Sequence, residues 1–187
     1  MPMQAPVRLN YFDGRLLSAA DFRAEQNYHL GKRRLINRCL HGSGIVCGLE
    51  VTADASGAAV TISPGFALDC LGREVVLPDA SSFALPVGSA GVWLLLRYRE
   101  TAAGTSPTTD VGTDGTASAD IVEGGALEWS ADDPARGHRR RRGRWLCCGQ
   151  DHPLPLARLV RTQVGWSVDT RFSAFLDTSR RAAYCSA

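Results

Sequence analysis

The stretch VTISPGFALDCLGREVVLP, residues 60–78, decides the fold. Val60-Thr61-Ile62, Phe66-Ala67-Leu68 and Glu74-Val75-Val76-Leu77 are short alternating or β-branched runs, separated by the turn dipeptides Pro64-Gly65 and Leu71-Gly72. Proline presets one turn torsion and glycine supplies the left-handed one, so the chain is told where to reverse. Working outwards, residues 45–52, 59–63, 66–69, 74–77 and 92–98 read as strands, with further turns at Ser56-Gly57 and Val87-Gly88. Residues 92–96 are apolar on both faces and predict a central strand, while residues 154–162 and 164–169 predict a closing hairpin around Gly165. Turn signals at this spacing predict a mainly β fold, a small antiparallel sandwich or barrel, with one long N-terminal helix.

That helix follows an extended arm, residues 1–17, reversed at Asp13-Gly14. Ser18 stands at the N-cap and Asp21 in the first turn, where a carboxylate meets the helix dipole. Residues 19–40 contain no proline, and Gly42 and Gly44 mark the end. Two neighbouring rows carry apolar or aromatic residues at helical spacing: Ala24, Tyr28, Leu35 and Cys39, and Phe22, His29, Ile36 and Leu40. Arg23, Asn27, Arg34, Asn37 and Arg38 occupy the other side. So wide an arc exceeds what one sheet needs, which predicts that residues 18–41 form a docking helix serving both its own domain and a neighbouring chain.

The remaining segments read as a β-domain over 45–100 and 153–172, a long inserted loop over 101–152 and a C-terminal tail over 173–187. The loop expectation rests on composition, because TAAGTSPTTDVGTDGTASAD (101–120) has little to bury.

The chain has 187 residues, 44% of them hydrophobic and 21% charged, with a net charge of +2. No run approaches the ~20 apolar residues of a membrane-spanning helix. The N-terminus shows no secretory signal, so synthesis in the cytosol and reduced thiols are expected. Arg139-Arg140-Arg141-Arg142-Gly143-Arg144 is the one dense cationic run. Nucleic acid is not expected there, since interleaved aromatics are missing and Glu123, Glu128, Asp132 and Asp133 lie close enough to neutralise it. A partner-facing role for Arg139, Arg140, Arg141 and Arg142 is the expectation.

Zinc would need four Cys or His ligands, usually in local pairs such as C-x2-C, and none occurs. Cys47, Cys70, Cys147 and Cys148, with Cys185, are the candidates for a site assembled across the fold, and core thiols are the plainer reading. His29, His41, His138 and His152 stand in no hydrolase context, and Asp69 and Glu74 flank a turn that reads as strand, turn, strand with a buried partner for Arg73 or Glu74. No cofactor and no catalysis are expected.

The segment Asn10-Tyr11-Phe12-Asp13-Gly14-Arg15-Leu16-Leu17-Ser18-Ala19-Ala20-Asp21-Phe22 resembles the N-terminal "YF-x-G-x-L-L-T-A-x-D-F" segment of bacteriophage tail and baseplate-associated proteins. Glu25-Gln26, Tyr28-His29-Leu30, Arg33-Arg34-Leu35 and His41-Gly42-x-Gly44-Ile45-Val46-x-Gly48-Leu49-Glu50-Val51 continue the likeness. Residues 60–69 and 72–78 are similar to their "V-x-V-x-P-G-x-A-x-D-x-x-G-R-E-I-V-V" module, and residues 154–160 to their "I-P-L-A-R-V" closing strand. The likeness covers residues 8–100 and 153–172.

Such modules occur in phage tails and in extracellular contractile injection particles. The resemblance implies a non-catalytic assembly part at the baseplate, spike or fibre attachment. Its partners would be other subunits of the particle and further copies of itself, as a homo-oligomer or ring. It implies assembly in the cytoplasm and then residence in a released or cell-associated extracellular particle. With no repeat in the chain, an adaptor or small decoration is expected rather than a long fibre. Two alternatives stand beside it: a carbohydrate or surface-receptor binding module using Trp129, Trp145 and Tyr98 as stacking platforms, and a zinc-stabilised spike-tip protein.

Overall fold

The computed structural model describes residues 5–54, 57–86, 91–108, 115–134, 140–141, 144–145, 151–163 and 165–169. Helix α1, Ala19–Ile36, runs into a single π-helical turn, Asn37–His41, closed by Gly42 at φ 78°. The strands follow in chain order: β1 Gly44–Gly48, β2 Val51–Ala53, β3 Ala59–Ile62, β4 Gly65–Leu68, β5 Glu74–Leu77, β6 Ser81–Ala84, β7 Gly91–Ala103, β8 Ser106–Thr108, β9 Gly115–Ala117, β10 Asp120–Ser130, β11 Arg140–Arg141, β12 Arg144–Trp145, β13 Leu154–Arg161 and β14 Trp166–Val168. All pairings among the described residues are antiparallel, in the orders β1-β4-β5, β2-β3-β6 and β10-β7-β13-β14, with the small ladders β8-β9 and β11-β12. The fold is thus mainly β with an N-terminal helix, and the described strands close no barrel.

Residues 45–52, expected as one strand, are two strands in different sheets. The chain bends at Gly48 (φ 58°) and Leu49 (φ 56°), and its antiparallel partner bends opposite it at Ser63-Pro64-Gly65. Both corners are pressed together: a Cβ on Gly65 would stand 2.5 Å from the Cys47 carbonyl oxygen. Ser63 bridges the bend, donating its N–H to Glu50 O (2.9 Å) while its Oγ accepts from Glu50 N (2.9 Å). Corners of this kind carry a two-stranded ribbon from one sheet to the next. They let Leu49, Val60, Ile62, Ala67 and Val75, all fully buried, share one core with β7 and β13.

Strand β7 is central, as its two-sided hydrophobicity predicts. Val92, Leu94 and Leu96 enter the main core, while Trp93 and Leu95 are buried on the opposite face. In β13 a register shift between Pro155 and Ala157 allows Leu154, Leu156 and Leu159 all to reach the core despite their uneven spacing. The bulge is also where proline's missing N–H is tolerated. The hairpin at Gly165 forms as expected, with Thr162 N–H donating to Gly165 O at 2.7 Å.

Within the segment 101–152, expected as a loop, residues 101–103 and 120–130 are strand instead, since β10 pairs with β7 from Asp120↔Ala103 to Ser130↔Trp93. Gly125 faces the core, where a Cβ would lie 2.6 Å from Leu96 Cδ1 and 3.1 Å from Val75, so a glycine here is a packing requirement.

Candidate docking surface

The arm is shaped by a turn and held by one guanidinium. Arg15 N–H donates to Phe12 O (3.1 Å) around Asp13-Gly14, with Gly14 at φ 85°. The Arg15 side chain then donates to Asn10 O (2.7 Å) on one side and to Asp21 Oδ1 (2.8 Å) on the helix. Ser18 and Asp21 form a reciprocal capping box, Ser18 N–H to Asp21 Oδ2 at 2.9 Å and Asp21 N–H to Ser18 Oγ at 3.3 Å. The bonds from Ser18, and then Arg15, hold the Asp21 carboxyl at about 2.

Helix α1 has no buried residue, and its attachment reverses the usual amphipathic arrangement. The side turned to the β-body carries Leu30, Arg33, Arg34 and Asn37. Arg33 forms a forked pair with Glu74, its Nε 2.8 Å from Oε1, and that bond holds the arginine proton more tightly than usual. Arg34 reaches Glu100 at 3.9 Å. The buried Asn37 donates its Nδ2 to Gly72 O at 3.0 Å. Gly72, at φ 78°, lets the backbone of Arg34 lie directly against the turn.

Beneath this root lies a second ion cluster. Asp69, 2% exposed, accepts from the N–H groups of Leu71 (2.9 Å) and Arg73 (2.8 Å) and from the Arg73 guanidinium. Arg73 also bonds Asp151, which lowers that carboxyl, and lies 4.5 Å over the Tyr98 ring. Burial, together with hydrogen bonds to Glu100 and Glu123, raises the Tyr98 hydroxyl. These residues form a structural mount: every charge in it is answered by another.

The apolar rows consequently face away from the body. Phe22, His29, Leu35, Ile36 and Leu40 are exposed and Tyr28 is half-buried. The arm adds Val7, Tyr11, Phe12, Leu16 and Leu17, with Leu16 93% exposed. The five helix residues expected to meet a partner, Phe22, Tyr28, His29, Leu35 and Ile36, therefore share one element. Sequence reasoning left out the root, Arg33, Asn37 and Gly72; the only signal for it was the polar stripe opposite the apolar rows. Arg140 and Arg141 lie in the short β11-β12 ladder, and Arg139 and Arg142 fall outside the described residues.

The cysteines divide. Cys47 is disulfide-bonded, against the expectation of reduced thiols, and so offers no thiolate to zinc. Cys70 is a buried, reduced thiol donating to Ser43 Oγ at 3.3 Å, Cys39 is exposed and reduced, and Cys147, Cys148 and Cys185 lie outside the described residues. A hydrogen bond with Cys70, acting against burial, raises the His152 imidazole. Among the described residues no three His, Cys, Asp or Glu side chains cluster as metal ligands, and no helix is long and apolar enough to cross a membrane. Two of the three proposed glycan platforms are engaged: Trp129 stacks on Phe83 at 5.4 Å and donates to Ala84 O at 2.8 Å, and Tyr98 lies under Arg73. Trp145 belongs to the β11-β12 ladder.

No protein-family model and no curated protein matches the chain. Among solved structures it is similar to a chain of the TssK-TssF-TssG baseplate subcomplex of the type VI secretion system, with TM-score 0.54 and 16% identity, covering 90% of this chain and 61% of that one. It is also similar to TssK, with TM-score 0.51, 14% identity and coverage of 89% and 41%, and to a chain of the baseplate complex from the type VI secretion system, with TM-score 0.51, 14% identity and coverage of 90% and 59%. The chain thus spans less than two thirds of each of these proteins, and at such identities what it shares with them is the fold.

Proposed function

We propose that this chain is a non-catalytic structural subunit of a contractile phage-tail-like injection particle, serving as a baseplate, spike or fibre-attachment component. The observation that carries the reading is the inverted helix. A helix bolted to its body through Arg33, Arg34 and Asn37 leaves Phe22, Leu35, Ile36 and Leu40 in water, an arrangement that makes sense only when another surface covers them. The likeness of fold to type VI secretion baseplate proteins supports the same class. Its partners are other subunits of the particle and further copies of the chain. Assembly takes place in the cytoplasm, and the finished particle is released or stays at the cell surface. The reading requires no cofactor, no nucleic acid and no membrane span, and the arginine run at 139–142 meets acidic protein surface.

The test is incorporation. Particles assembled with Phe22→Asp or Ile36→Asp chains should lack the subunit after purification, while the same chains, purified alone, melt as the wild type does. Full incorporation of both variants would defeat the proposal.

A further inference from the structure

We infer that the outward face of α1 pairs with the same helix of a second copy, antiparallel about a twofold axis near Tyr28 and His29. On a 3.6-residue wheel Glu25, Lys32 and Cys39 fall on one line, spaced by seven. Phe22, His29 and Ile36 flank that line on one side, and Tyr28 and Leu35 on the other, each again spaced by seven. A seven-residue repeat is the period at which two helices keep one seam in contact.

The charges on the seam decide the occupant and its direction. Glu25 uses Oε1 for His29 (2.9 Å), while its Oε2 is shielded from water and has no hydrogen-bond partner. Lys32 donates to the Tyr28 hydroxyl (3.4 Å) and lies 5.3 Å from its ring, and among the described residues it forms no ion pair. A parallel copy would set Glu25 against Glu25 and Lys32 against Lys32. An antiparallel copy sets Glu25 against Lys32 twice and, because the twofold keeps each flank on its own side, Phe22 against Ile36 twice, His29 against His29 and Tyr28 against Tyr28. The face is therefore complementary to itself in charge and in apolar content, which is the requirement of an isologous contact. The helix is ~27 Å long at 1.5 Å per residue, long enough for four turns of seam, and its bonds to the body are made by Arg33, Arg34 and Asn37 on the other side. The inference stands on the helix alone and does not depend on membership of a particle.

The experiment is sedimentation velocity on the purified full chain across micromolar to submillimolar concentrations, with Glu25→Lys, Lys32→Glu and their equimolar mixture. The wild type should dimerise, and each single variant should lose about tenfold or more in association, because like charges then face each other. The mixture should recover wild-type association, since the two lysines of the Glu25→Lys helix then meet the two glutamates of the Lys32→Glu helix. Melting curves on the variants confirm that the fold is intact. A monomeric wild type, a trimer, insensitivity to the charge reversals, or a mixture that stays monomeric would each overturn the inference. Dimerisation without incorporation into particles would defeat the proposed function and leave this pairing standing.

Discussion

Arg33 of the helix and Glu74 of β5 form a forked ion pair across 41 positions of sequence, with Arg33 Nε 2.8 Å from Glu74 Oε1. Together with the Asn37 bond to Gly72 O, it sets the angle at which α1 leaves the body. The two contacts should separate energetically. The pair is half exposed on the arginine side, so Arg33→Ala should cost at most about 1 kcal/mol. Asn37→Ala strips a buried carbonyl of its donor and should cost about 1–3 kcal/mol. Urea denaturation reads both, and amide exchange over residues 19–36 should accelerate in each variant; equal losses of stability would show that the root does not work this way.

Gly48 and Gly57 both have positive φ, 58° and 67°, but only Gly48 is also crowded, with the Pro64 carbonyl where its Cβ would be. Gly57→Ala should therefore cost about 1 kcal/mol, the strain of the torsion alone. Gly48→Ala should cost about 3–5 kcal/mol, in the range of the largest single substitutions, because two corners must move apart. Chemical denaturation of the two variants side by side gives the comparison, and similar losses would contradict the tight crossing.

Arg73 answers the buried Asp69 and stacks on Tyr98, so its removal leaves a carboxylate in a nearly dry site. Arg73→Ala should cost about 3–5 kcal/mol. Arg73→Lys should recover little, because a point ammonium cannot both fork between Asp69 and Asp151 and stack on the ring. Thermal melting of both variants measures this; full rescue by lysine would reduce the site to simple charge pairing.

Acid should loosen the arm before it unfolds the body. The Asp21 carboxyl is lowered from 3.8 to about 2 by Ser18 and Arg15, so its contribution is complete above about pH 4 and is lost as pH falls towards about 2. Amide exchange of residues 10–22 between pH 5 and 2.5, corrected for intrinsic rates, should show the loss, and Ser18→Ala should remove most of the pH dependence. A cap insensitive to acid would contradict the assignment.

His152 predicts the opposite sign. Its imidazole is raised from 6.5 by the Cys70 bond, so the stability it contributes is complete below about pH 6.5 and fades as pH rises through the raised value. Wild type minus His152→Gln, measured by denaturation from pH 5.5 to 9, should shrink with rising pH. A difference that grows would reverse the reading.

Much of this architecture is legible in particular residues. Ser18 and Asp21 fix where the helix begins, Gly42 where it stops, and the two-sided run Val92 to Leu96 marks the central strand, because capping, left-handed torsions and two-faced burial are all local or periodic properties. The apolar rows of the helix are equally plain. What could not be read is which way the helix turns: only the positions of Glu74 and Gly72, brought up by a distant turn, give Arg33 and Asn37 partners and so send the rows outward. The same holds for β10, where Gly125 is a glycine because Leu96 and Val75 fill its side-chain space, and for the corner at Gly48, which is tight because Pro64 crosses it. The helix, its caps and the strands of the turn-rich stretch, with their chemical faces, were legible in the sequence, since these follow from nearest-neighbour torsions and periodicity. Tertiary structure alone decided which face met the body and which was left for a partner, since that depends on groups that only folding brings within reach.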